Sequence, residues 1–375
     1  MSFFAAMTGS LPSVLTAIVA FLFVLTLIVF VHELGHYLVA RWCGVRVEVF
    51  SVGFGREIMG RTDRLGTRWR LSLIPLGGYV KFFGDFNEAS MPDPEAQRMS
   101  AADRAVTLTF QPVWKRAAIV AAGPIANFLL AILIFAATFM AYGQQIMPPR
   151  VAAVVAGGAA AQAGFQPGDL VLSIDGKPIE SFADIQRIVS LRAGDELRFE
   201  VERKNQLLTL TVVPQSTEVT ALGGKQRMGR IGLQGIADIN QAVVKTYGPV
   251  EAIEMAVRET GRQIGDNLRF ITRAFEGRAE LSQLSGPIGI ARVAGEVASI
   301  SLVSLIALAA TLSVSIGLVN LFPIPILDGG HLVLLAYEAV VGRPLNATAQ
   351  EWAFRAGFVL LMGLMVFSLV NDIVR

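Results

Sequence analysis

Between Leu11 and Val31 the chain carries no charged residue, and this run passes without a break into His32-Glu33-Leu34-Gly35-His36. At 1.5 Å per residue the run makes a helix of about 31 Å, roughly one hydrocarbon core. A chain so constrained must fold around a membrane-spanning helix. A carboxylate at membrane depth costs about 2.5–3.5 kcal/mol on insertion scales, so Glu33 calls for a function. On a helix, positions i and i+4 share a face with their Cβ atoms roughly 6 Å apart, so His32 and His36 can hold one metal ion. Glu33, beside them, is placed to take a proton from water that the metal activates. The competing reading is a polar cluster at the membrane edge with no metal.

Composition agrees with a polytopic membrane protein. The 375 residues are 53% hydrophobic, and mean hydropathy is +0.55. That leaves room for a membrane core and an extramembrane domain. A net charge of +2 gives no nucleic-acid footprint. The single cysteine, Cys43, excludes an intramolecular disulfide framework. The N-terminus lacks a basic region and its apolar run is too long for a cleaved leader, so it reads as a retained span.

Three further segments can span: Ala117 to Tyr142, Val297 to Leu327 and Ala356 to Val370. Four spans put both termini on one side. No charge precedes Glu33, whereas Arg41 to Arg116 holds twelve Lys/Arg against eight Asp/Glu. The positive-inside rule therefore places 41–116 in the cytoplasm and the termini outside. Gln144 to Glu296 balances seventeen basic with seventeen acidic residues, and a long segment translocates largely regardless of charge.

Within the first loop, Arg46 to Gly55 and Arg68 to Phe83 alternate apolar and polar residues and predict a β-hairpin. It can either offer an edge to an extended peptide or pack as an ordinary small sheet. Met91 to Ala105 reads as a linker. After the second span the pattern predicts a compact α+β unit. A strand covers Val151 to Val155, a helix Ser181 to Leu191, and a hairpin Glu196 to Arg203 with Leu207 to Val213 turns at Lys204-Asn205. A polar tract follows Pro214, and Val250 to Phe275 has the spacing of an amphipathic helix.

The third span is interrupted by Asn320-Leu-Phe-Pro-Ile-Pro-Ile-Leu-Asp328-Gly-Gly-His331. Unwound backbone in a bilayer must be covered by protein or line a wet cavity, and an intramembrane Asp needs a partner. Two histidines and one carboxylate form a common catalytic zinc set, making Asp328 the candidate third ligand. It can alternatively cap a helix or relay protons in a transporter. Asn320 can donate to an oxyanion or substrate backbone, or make a helix–helix hydrogen bond. His331 fits a contact behind the ligands better than a fourth ligand.

HELGH in the first span, GPIANF (Gly123 to Phe128) in the second and NLFPIPILDGGH in the third together resemble the site-2 protease family of intramembrane zinc metalloproteases, most closely its bacterial RseP-like branch. The resemblance implies Zn2+ held by His32, His36 and Asp328, with Glu33 as the catalytic base. It makes Asn127 and Asn320 auxiliary polar residues, and Gly77, Gly78 and Tyr79 part of a membrane-associated β-region that presents substrate. Residues 149–215 resemble one PDZ domain, where the best-studied branch has two in tandem. The expected architecture is a polytopic α-helical membrane protein with four transmembrane helices, a membrane-associated β-hairpin and one inserted PDZ-like α+β domain. Its segments are 1–40 (first span), 41–116 (cytoplasmic loop), 117–143 (second span), 149–215 (PDZ-like), 216–298 (amphipathic helices), 299–341 (third span with LDG) and 352–371 (fourth span). The implied activity is cleavage of single-span membrane proteins in a bacterial inner membrane, with anti-sigma factors or signal-peptide remnants as substrates. Lipid surrounds the spans, and the PDZ-like unit is a peptide site or a size filter. An ion-coupled transporter and a non-catalytic PDZ scaffold are the other classes this sequence admits.

Overall fold

The computed structural model describes residues 11–84, 99–221, 224–235, 243–276 and 286–374. In chain order they form helix α1 (Leu11–Trp42), strands β1 (Val47–Thr62) and β2 (Arg68–Phe82), a short helix α2 (Ala101–Val106) and the long helix α3 (Val113–Tyr142). There follow β3 (Gln144–Ile146), β4 (Val151–Val154), α4 (Ala159–Gln162), β5 (Leu170–Ile174), β6 (Lys177–Pro178) and α5 (Phe182–Leu191). Next come β7 (Leu197–Arg203), β8 (Gln206–Val212), β9 (Gln215–Ala221), β10 (Gly224–Arg230), β11 (Leu233–Gly235) and β12 (Val243–Lys245). Helices α6 (Pro249–Phe275), α7 (Pro287–Ile300), α8 (Leu302–Asn320), α9 (Asp328–Val341) and α10 (Ala347–Val374) complete the order. Among the described residues four helical stretches are long and apolar enough to cross a membrane: Val14–Trp42, Val113–Tyr142, Leu302–Asn320 and Thr348–Val374. The chain is a multi-pass membrane protein of α-helices with β-sheets. It divides into two units, Met1–Ala136 with Ile253–Asn267 and Ser285–Val374, and Ala137–Ala252 with Leu268–Leu284.

In the first unit, α1 packs through Ala20, Val24 and Ile28 against Ala294 of α7 and Leu305 and Ala309 of α8. The uncharged run expected as one span from Val297 is in fact broken at Ser301. That residue is extended, and its hydroxyl accepts the Ser304 amide at 3.0 Å, capping α8. The third span therefore begins at Leu302. At its far end the chain unwinds after Asn320, and α9 restarts at Asp328 behind Leu327, which occupies the cap position without a side-chain bond. Asp328 is thus not the helix cap that its position in sequence allowed.

β1 and β2 form more than a simple hairpin. Glu57 to Thr62 pairs with Ser72 to Arg68, and Val47 to Val52 pairs with Phe82 to Gly78, both with opposed numbering. Between these runs, Val49, Phe50, Ser51 and Val52 also face Arg68, Trp69, Arg70 and Leu71, with numbering that rises together. The long hairpin therefore folds back on itself, with residues 78–82 and 57–62 as its two outer runs, each meeting one other. Its apolar face is anchored on α1. Phe50 stacks on Trp69 at 4.4 Å between ring centroids and meets Tyr37 and Phe30 edge-on at 5.8 and 5.6 Å. Phe50 is fully buried, a contribution of about 1.5–3 kcal/mol. The sheet is thereby fixed one turn from the histidines. Ala101–Val106, inside the expected linker, is helical because the Ser100 hydroxyl accepts the Asp103 amide at 3.2 Å; residues 91–98 of that linker lie outside the described residues.

The second unit is built on the four-stranded antiparallel sheet β6-β5-β7-β8. Val171, Ile174, Leu197, Phe199 and Val201 pack beneath it against Phe182, Ile185 and Val189 of α5. A capping box of Ser181 and Asp184 starts α5. Lys204 and Asn205 both take positive φ, 50° and 65°, as a two-residue hairpin turn requires. The polar tract after Pro214 forms a hairpin, β9 with β10. β11 then pairs with β4, so this unit draws in residues beyond 215.

Candidate metal centre

α1 carries His32 and His36 one turn apart, their Nε2 atoms 3.2 Å from each other and their rings nearly perpendicular. Asp328 arrives from the start of α9. Its Oδ2 lies 3.2 Å from His32 Nε2, and its Oδ1 lies 3.6 Å from His36 Nε2. Ligating atoms of all three residues fall within 4.8 Å of one another. Oδ2 is buried and has no hydrogen-bond partner. A buried carboxylate oxygen left so is costly unless a cation or proton completes it. Three such donors around one point, two neutral nitrogens and one anionic oxygen, match a divalent metal of the zinc type.

The second span makes this convergence possible. A Cβ on Gly123 would lie 2.6 Å from His36 Cε1 and 2.8 Å from His32 Cε1, so only glycine lets α3 lie against both imidazoles. One position on, Pro124 sits inside the helix and removes a backbone donor from the ladder. In the turn before it, the Ile119 carbonyl accepts from His36 Nδ1 at 2.8 Å. With its proton on Nδ1, His36 presents the Nε2 lone pair to the centre.

Glu33 lies on the neighbouring face of α1, where its carboxylate accepts from the Val80 backbone amide. Gly78 is equally close: a Cβ there would stand 3.2 Å from Glu33 Cγ and 2.7 Å from the Ser51 carbonyl. The edge run of the sheet is thus packed directly on the candidate base. Tyr79 is buried, stacked against Phe54 at 6.0 Å and covered by the Arg70 guanidinium at 5.0 Å. Gly77, at φ 146°, lies against the Phe54 ring.

The remaining candidates separate. Asn320 is the last residue of α8, half-buried. His331 sits beside Phe354, ring centroids 5.3 Å apart, and is not one of the three converging residues. Asn127 is completely buried, with its amide 3.3 Å from His32 Nδ1. Its side chain faces the His32 ring. Sequence reasoning missed Gly123 and the Ile119 carbonyl as parts of the site. The signal available was a Gly-Pro pair inside an otherwise unbroken apolar helix.

The sequence model of Peptidase family M50 matches residues 20–364 of this chain. The chain belongs to peptidase family M50. A Brucella suis protein carrying the provisional name zinc metalloprotease is 51% identical over 367 residues, covering 97% of each chain. Metalloprotease MmpA of Caulobacter vibrioides is 43% identical over 385 residues, covering 96% of each. The solved PDZ domain of an SdrC-like protein from Listeria monocytogenes matches 25% of this chain and 90% of its own, at 17% identity and a TM-score of 0.20. As an M50 peptidase the chain acts on protein substrates, which sets aside the transporter and the non-catalytic scaffold.

Proposed function

We propose that this M50 peptidase is a zinc-dependent intramembrane endopeptidase that cleaves single-span membrane proteins in or beside their transmembrane segments. The observation that carries the proposal is the convergence of His32, His36 and Asp328, with Oδ2 of Asp328 buried and unpartnered, between helices long enough to span. These three residues would hold the zinc. When bound, zinc supplies a Lewis acid that makes water nucleophilic near neutral pH and draws charge from a carbonyl oxygen.

Glu33 accepts the proton of the attacking water and returns it to the leaving nitrogen, since no other carboxylate lies on that face of α1. Asn320 is assigned to the substrate carbonyl or its neighbouring backbone. A helical substrate hides its scissile carbonyl in i to i−4 bonds, so it must unwind before cleavage. The 78–82 edge offers compensating backbone bonds as an added strand, beside Glu33. Such pairing favours substrates with small or helix-weakening residues at the cut.

Charge bias places residues 41–116 in the cytoplasm and the termini with the second unit outside, in a bacterial inner membrane. The turn pattern and strand–helix order of that unit support a PDZ-like reading. There it binds a substrate peptide or excludes substrates that still carry bulky external domains. Anti-sigma factors and signal-peptide remnants are the substrate classes in view.

Zinc content and cleavage of a single-span substrate in detergent, wild type beside Glu33→Gln, test this. The expected result is about one zinc per chain in both and cleavage by the wild type alone. Absence of zinc from folded wild-type protein overturns the reading.

A further inference from the structure

Beside the ligating residues themselves, the buried amide of Asn127 has a polar atom that is not accounted for. Its Nδ2 is 3.3 Å from His32 Nδ1, while its Oδ1 is buried with no partner. An amide's oxygen and nitrogen differ only by a half-turn about χ2, and which is which is settled by the bonds each can make. As placed, Nδ2 would donate to an unprotonated Nδ1. That forces the His32 proton onto Nε2, the atom 3.2 Å from Asp328 Oδ2, and leaves no lone pair for a metal. The half-turn gives Oδ1 the His32 Nδ1 proton to accept and frees His32 Nε2.

We propose that Asn127 is a positioning residue: its Oδ1 accepts the His32 Nδ1 proton and so fixes the tautomer and ring plane that aim Nε2 at the metal. The pairing then matches the one on His36, whose Nδ1 donates to the Ile119 carbonyl. One helix, α3, holds both imidazoles from behind, once with a backbone oxygen and once with a side-chain oxygen two turns on. The placement of Asn127 is itself fixed. Its own carbonyl accepts the Ser313 hydroxyl of α8 at 2.9 Å, and both residues are fully buried. Hydrogen bonds of this kind to a ligating histidine are worth about 10–100-fold in metal affinity.

The proposal rests on zinc being held by His32, His36 and Asp328, and the experiment separates the two. Zinc affinity is measured by chelator competition in detergent for the wild type, His32→Ala, Asn127→Ala and Asn127→Asp. Each is first checked for monodisperse elution and helical circular dichroism. The Co2+-substituted proteins are then examined by proton NMR for the hyperfine-shifted, exchangeable ring N–H signals of the bound histidines. His32→Ala should bind zinc far more weakly and, at saturating Co2+, lack one such signal. Asn127→Ala should bind zinc about 10–100-fold more weakly, with that same signal shifted or exchange-broadened and the His36 signal unchanged. Asn127→Asp, which is isosteric and keeps only acceptors, should restore both. Wild-type affinity and an unmoved signal in Asn127→Ala would overturn the proposal. So would failure of Asn127→Asp alongside success of the wild type, since that outcome means the amide donates. Zinc binding unaffected by His32→Ala would instead sink the ligand set on which the proposal stands.

Discussion

Arg116 and Glu338 form a two-pronged ion pair, with Nη1–Oε2 at 3.0 Å and Nη2–Oε1 at 2.5 Å. Arg116 lies in the first turn of α3, which carries Gly123 and Asn127, and Glu338 lies near the end of α9, which begins at Asp328. The pair therefore ties the helix behind the histidines to the helix that brings the carboxylate. Both side chains are about five-sixths buried, so screening is limited and planar two-point geometry is favoured. Glu338→Gln should lower stability in detergent by about 2 kcal/mol and weaken zinc retention. The Arg116→Gln, Glu338→Gln double variant should be less unstable than the two single losses added, because each single change strands the other partner. Strict additivity in a thermal-melt cycle would show that the pair does not couple the helices.

Gly123→Ala places a methyl group among the two imidazoles, at 2.6 and 2.8 Å from their Cε1 atoms. Neither backbone can yield easily, because Gly35 of α1 packs on Ala122 and Ala126 of α3 at the same crossing. Overpacking of this kind costs about 1–3 kcal/mol, and the cost falls on ligand geometry. The variant should fold, retain well under one zinc per chain by elemental analysis and lose cleavage with it. Full zinc and full activity would mean that α3 does not set the spacing of the histidines.

Gly78→Ala acts on the other side of α1. Its methyl group would meet the Ser51 carbonyl at 2.7 Å and Glu33 Cγ at 3.2 Å, displacing the sheet edge, the carboxylate or both. Zinc content should stay at the wild-type level, because the metal residues are untouched. Single-turnover cleavage should fall by about 10²-fold, the low end of what a positioned acid–base contributes. Equal loss of zinc and turnover would place Gly78 in the metal centre rather than beside the base.

Much of this site is legible in the sequence because it is local. His32 and His36 are fixed by helical spacing alone, and the spans follow from charge-free runs. Asp328 could be paired with them only because a carboxylate at membrane depth must have a partner. What escaped reading depends on phase between distant elements. No periodicity reveals which face of α3 meets α1, so the contact of Asn127 with His32 and that of Ile119 with His36 were invisible. The fold-back of β1 and β2 needs Val49 to Val52 to face Arg68 to Leu71, a register that simple alternation does not encode. The hairpin β9–β10 was missed for another reason. Gln215 to Ala221 alternates without an apolar face, so it gives no strand signal until its partner is known.

The second unit carries a pH-dependent element outside the spans. Asp169 is fully buried, and burial on its own would raise its carboxyl. Two bonds from the Arg203 guanidinium, both 2.7 Å, and one from the Gln166 amide at 2.9 Å outweigh that and hold it below the ordinary aspartate value. A carboxylate whose folded value is depressed contributes stability that is complete above its unfolded value, near pH 4, and is lost as pH falls through the lower folded one. Asp169→Asn should therefore destabilise this unit by about 2 kcal/mol at pH 7. The deficit should shrink as pH falls below about 4, where the wild type also loses its charge. Amide exchange in β5 and β7 of the full-length protein, read by mass spectrometry from pH 7 to pH 3, follows this directly, since Asp169 precedes β5 and Arg203 ends β7. Protection in the two proteins should converge at the acid end. A difference between them that is the same at pH 3 as at pH 7 would show that Asp169 serves only by its shape.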